Sequence, residues 1–102
     1  MDVKILHVAD CPNVELARQR LQQAAEAAGV DVSITTVLLE TDEDAARYPF
    51  HGSPTLVIDG RDPFAAGGVS GGLACRVYRS ASGVEGAPSL ARIIEALEEA
   101  RS

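Results

Sequence analysis

Tryptophan is absent, and aromatic residues make up only 4% of the 102 residues. Any core the chain builds must therefore be aliphatic and rich in alanine rather than organised around large rings. Lysine occurs once, at Lys4, and the arginines are scattered; with a net charge of −6 there is no clustered positive face for a phosphate backbone. Nucleic acid is therefore not expected as a partner. No stretch approaches the roughly 18–20 apolar residues that a membrane span requires. The amino-terminal segment lacks the charged, apolar and small-residue pattern of a secretory leader, so a cytoplasmic location is expected. Two cysteines, Cys11 and Cys75, are too few for a disulfide framework. In a reducing compartment they serve redox chemistry, metal capture or plain packing. Two cysteines and two histidines without finger-like spacing do not predict zinc. Gly67, Gly68, Gly71 and Gly72 lack the strand-to-helix setting of a nucleotide fingerprint, so no cofactor is expected.

What is present is one domain over residues 1–102, with 46% hydrophobic and 24% charged residues, a size that supports a single core. Val3 to Val8 form a near-continuous apolar run, as in a strand covered on both faces. Val14, Ala17, Leu21, Ala24, Ala25 and Ala28 then recur at helical spacing, and Gly29 stands where a left-handed cap belongs. Val30 to Leu39 is rich in β-branched residues and reads as a second strand. Thr41 with Asp44 makes a capping box for a short helix through about Arg47, ended by Pro49. Thr55 to Ile58 is a third strand closed by the turn pair Asp59-Gly60. Residues 61–72 read as a long loop, of the kind that often binds something. Leu73, Cys75 and Val77 alternate as a fourth strand ending near Tyr78 or Arg79. Ser89 caps a last helix with the stripe Leu90, Ile93, Ile94, Leu97 and Ala100.

The fold class is therefore α/β, ordered βαβ(α)ββα, with a four-stranded mixed sheet flanked by helices. The strand–helix–strand opening allows a parallel crossover. Cys11 then lies at the carboxyl end of the first strand, where open α/β sheets place their ligands. Pro12 is favoured at the first position inside a helix, which puts Cys11 at the N-cap facing unpaired amides. Helix N-termini stabilise the thiolate, the reactive form of a cysteine, although the effect is modest, about 0.3–1 kcal/mol at an exposed site. The competing reading is a small buried residue filling a strand–helix corner.

Two motifs combine at this point. Cys11-Pro12-Asn13-Val14 follows the first strand, and Gly52-Ser53-Pro54-Thr55 opens the third. In element order over nearly the whole chain, the sequence resembles the thioredoxin-like superfamily, and Cys-Pro is similar to glutaredoxins. More closely, the chain resembles small bacterial thioredoxin-family proteins, some of them described as related to alkylmercury lyase. The resemblance implies that Cys11 is the attacking thiol and Pro54 a cis-proline that presents the Ser53 backbone beside Cys11 to an extended thiol substrate, with Pro12, Ser53 and Pro54 as the substrate-binding residues. Val14 stands in place of the family's second cysteine and Asp10 in place of its tryptophan. A Cys-x-x-Cys disulfide is therefore impossible, and a monothiol route remains.

Cys75 is the internal candidate for a resolving thiol. On one threading it opens the fourth strand, too far from Cys11 to bond without movement. On the other, residues 62–66 form that strand, Gly67-Gly68 resembles the glutathione-holding pair of glutaredoxins, and Cys75 comes near Cys11. His51 is a candidate proton donor to the site, whereas His7, inside a strand, reads as a satisfied and partly buried side chain. The leading expectation is a small thiol-dependent redox protein acting on a low-molecular-weight or protein thiol. Two alternatives stand beside it: a soft-metal or organomercurial binder holding the ion through thiolates, and a non-enzymatic interaction domain on the same fold.

Overall fold

The computed structural model describes residues 1–48, 50, 52–64, 78–80 and 83–101. Three strands form a mixed sheet: β1 (Asp2–His7), β2 (Ser33–Leu38) and β3 (Thr55–Ile58), in the order β2-β1-β3. β1 runs parallel to β2, with Asp2 beside Ser33 and His7 beside Leu38, and antiparallel to β3, with Leu6 beside Thr55. The helices are α1 (Val14–Ala28), α2 (Asp42–Ala46) and α3 (Leu90–Arg101).

Alternation along β1 sorts its side chains between two layers. Val3 and Ile5 join Leu56 and Ile58 beneath α1 and α3, where Ala17, Leu21, Ala24, Ile93, Ala96 and Leu97 complete the larger core. Leu6 faces the other way and packs with Leu39, Phe50 and Val57 on the α2 side. The helical stripe expected for α1 is buried except at Val14, which is half-buried. In α3 the buried residues are Ile93, Ala96 and Leu97, and Leu90 is exposed. Arg20 Nη1 donates to the carbonyls of Ala87 (3.3 Å) and Pro88 (3.0 Å), tying α1 to the entry of α3. Arg101 Nη1 donates to the Ala28 carbonyl at 2.9 Å, placing a cation at the carboxyl end of α1 where the helix dipole favours it.

Local signals are obeyed where they are self-contained. Gly29 takes the left-handed conformation at the end of α1 (φ 68°), and its amide returns to the last turn. Thr41 and Asp44 exchange both bonds of the capping box at the start of α2. Asp59 and Gly60 both have positive φ, 49° and 84°, and Ile58 and Arg61 bond across them as in a two-residue hairpin turn.

Two expectations differ from what is described. The described sheet has three strands, not four; Leu73, Cys75 and Val77, from which the fourth was expected, lie outside the described residues. Among the described residues, Tyr78–Ser80 (β4) pairs antiparallel with Gly83–Glu85 (β5) in a two-stranded ribbon. Alternation predicts a strand but does not say which neighbour it takes. The α1 start is also later than Pro12. Its N-cap is Asn13, already in helical conformation (φ −95°, ψ −2°), so Cys11 precedes the cap by two residues. The Asn13 side chain makes no capping bond. It occupies instead the space that a Cβ on Gly86 would need, a contact with a segment far along the chain.

Candidate functional site

β1 ends at His7, and the chain then turns through Val8 to Asn13 before α1 begins. Asp10 adopts a left-handed conformation (φ 58°), which aspartate tolerates better than most residues. Cys11 follows it as a free, half-buried thiol, and Pro12 is exposed. The Val8 amide donates to Ser53 Oγ at 3.1 Å. Cys11 lies three residues beyond Val8, a reach of at most about 11 Å of extended chain. The loop bearing the thiol is thus anchored to the segment that precedes β3.

That segment is bonded from several sides. The Ser53–Pro54 peptide is cis, as the resemblance implied. Thr55 Oγ1 donates to the Gly52 carbonyl at 2.5 Å, and the Tyr78 hydroxyl donates to the Pro54 carbonyl. Tyr78 also meets Phe64 edge-on, with ring centroids 5.8 Å apart, and the Arg92 guanidinium lies 5.8 Å from the Phe64 ring centre. His7 Nδ1 is 3.2 Å from the Val8 carbonyl. A carbonyl only accepts, so in this contact Nδ1 is the donor, and His7 is half-buried.

Of the expected site residues, Ser53 is bonded through its hydroxyl to Val8, three residues before Cys11 on the same loop. Ser53 and Pro54 are both fully buried, so in this conformation neither offers surface to a substrate. The accessible part of the site is Cys11, Pro12 and Asp10. Cys75 and His51 lie outside the described residues. Among the described residues no group of three His, Cys, Asp or Glu side chains is placed to hold a metal ion. No described helix is long and apolar enough to cross a membrane.

Sequence reasoning missed the Ser53 hydroxyl as an anchor and Tyr78 as a donor to Pro54. A signal existed for Tyr78, since a buried tyrosine needs a partner for its hydroxyl, but nothing local names the partner. Comparison of the chain with family models, with curated proteins and with solved structures gives no match.

Proposed function

We propose that this chain is a small thiol-dependent redox protein, a single thioredoxin-like domain working in a reducing cytoplasm, with Cys11 as its nucleophile. The observation that carries the reading is the free, half-buried Cys11 on a loop tied by the Val8–Ser53 bond to the start of β3. The parallel β1–β2 pair and antiparallel β3, in the order β2-β1-β3, support the same family reading. In the reaction, the Cys11 thiolate attacks one sulfur of a disulfide, forming a mixed disulfide and releasing the other half as a thiolate. A second thiolate, from a low-molecular-weight thiol or a protein, then attacks the mixed disulfide and frees Cys11. Pro12 and Asp10 border the incoming substrate. Ser53 acts from within by holding the loop, and Pro54 backs it.

The test is alkylation of each cysteine as a function of pH, read by mass spectrometry, together with reduction of a glutathione mixed disulfide. Cys11 is expected to react much faster than Cys75 near neutral pH, and Cys11→Ser to abolish the reduction. A Cys11 no more reactive than a free cysteine would overturn the proposal and leave the fold as an interaction domain. A one-to-one Hg²⁺ or Cu⁺ adduct that survives competing thiols would replace it with soft-metal binding.

A further inference from the structure

Among the described residues, β2 is an edge strand with no neighbour on its outer side. The amides of Ser33 and Leu39 donate to Met1 and His7 on the β1 side, at 2.9 and 2.8 Å. Backbone groups alternate in direction along a strand, so Thr35 and Val37 also turn toward β1. Ile34, Thr36 and Leu38 turn both their N–H and C=O groups outward, and among the described residues nothing pairs with them. Proteins usually blunt such an edge with lysine, proline or a bulge. The segment Ser-Ile-Thr-Thr-Val-Leu has no charge, proline or glycine. Leu38 at its end is 45% exposed.

A groove runs along the same edge on the α1 side, lined by Gln19, Gln22, Gln23 and Glu26 of α1 and by Val32 and Ile34. A strand added to β2 would send alternate side chains over this groove, toward three amides and one carboxylate. The surroundings are acidic: Asp31 precedes the strand, Glu40, Asp42 and Glu43 follow it, all exposed, and Glu26 lies in the groove. Lys4, on the adjacent strand, shares the parity of Leu6 and so faces the α2 side. A second copy of this chain would bring the same acidic ends to the contact, and like charges placed together disfavour that pairing.

We propose that the open edge of β2 binds an extended, cationic segment of a partner protein by strand addition, with its Lys or Arg side chains over the α1 groove. The inference is independent of the thiol chemistry of Cys11. Main-chain bonds to Ile34, Thr36 and Leu38 provide the affinity, and Glu26 with its acidic neighbours selects charge.

The probe is a short synthetic peptide alternating lysine with valine and threonine, compared with its glutamate analogue by NMR titration of the full chain. The lysine peptide is expected to shift the amides of Ile34, Thr36 and Leu38 and the side-chain amides of Gln19 and Gln22, and to weaken with salt. Thr36→Pro removes one outward N–H without touching the β1 ladder, and is expected to weaken binding about tenfold. Glu26→Lys, an exposed substitution on α1 that leaves the edge intact, is expected to weaken the lysine peptide and strengthen the glutamate one. Equal binding of the two peptides, shifts confined to other surfaces, or self-association through β2 would each overturn the proposal.

Discussion

The two faces of the sheet are built on different scales. Among the described residues, the amphipathic helices α1 and α3 enclose a core with fifteen buried residues, from Val3 to Leu97. On the other face four buried residues, Leu6, Leu39, Phe50 and Val57, are covered by α2 and its flanking segments, and α2 has no buried residue of its own. Hydrophobic burial scales with the apolar area removed from water, so the α1–α3 face supplies most of what holds the chain together. The thinner face takes in Val8, on the loop that carries Cys11. Functional loops are commonly drawn from the less stable part of a fold. The loop at the carboxyl end of β1 thus packs against the thinner of the two faces and is held there by the Val8–Ser53 bond.

Leu21→Ala should break this comparison most severely. Leu21 is fully buried in α1 against the sheet and α3, and removing a buried leucine side chain costs about 2–5 kcal/mol, the upper end applying where the cavity cannot collapse. Urea denaturation would measure it. A cost under about 1 kcal/mol would mean that the α1–α3 face is not the principal core.

Ser53→Ala sharpens the same contrast on the other side. It removes the hydroxyl that accepts from the Val8 amide, and a polar group left unpaired away from water costs about 1–3 kcal/mol. The expected signature is local: faster hydrogen exchange at Val8 and a changed alkylation rate at Cys11, with protection in α1 retained. An unchanged Val8 exchange rate would show that the bond does not hold the loop.

What could be read from the chain follows the range of the interaction responsible. The Thr41–Asp44 capping box, the left-handed Gly29 and the Asp59-Gly60 turn each depend on residues within a few positions, and each is present as the pattern implies. At the α1 start, Asn13 makes no capping bond and its side chain lies instead beside Gly86, a tertiary contact without a local signature. Tyr78 has the alternation of a strand, and among the described residues it pairs with Glu85, a neighbour that periodicity does not encode. The site divides in the same way. Cys11 is legible as an isolated thiol after a strand, whereas the bonds from Val8 to Ser53 and from Tyr78 to Pro54 require the folded arrangement.

The smallest expected effect lies at α2, where charge rather than packing does the holding. Asp44 Oδ2 accepts from the amides of Glu40 (3.1 Å) and Thr41 (3.3 Å), and the Thr41 hydroxyl accepts from the Asp44 amide at 3.1 Å. The Glu40 amide chiefly, helped by the Thr41 bonds and the Arg47 guanidinium, holds the Asp44 carboxyl below the ordinary aspartate range, against desolvation, which is the second-largest effect and raises it. A carboxyl depressed in the folded state binds its proton more readily when unfolded. Its contribution is therefore complete above about pH 4, the free aspartate range, and is lost as the pH falls through the lower folded value. Carboxyl NMR should place the Asp44 midpoint below that of a free aspartate. The protection of the Glu40 and Thr41 amides should fall as Asp44 protonates, and Asp44→Asn should remove that pH dependence while the α1–α3 face stays unchanged. An Asp44 that titrates like a free aspartate would mean that this helix start is open in solution, leaving the α2 face with still less to hold it.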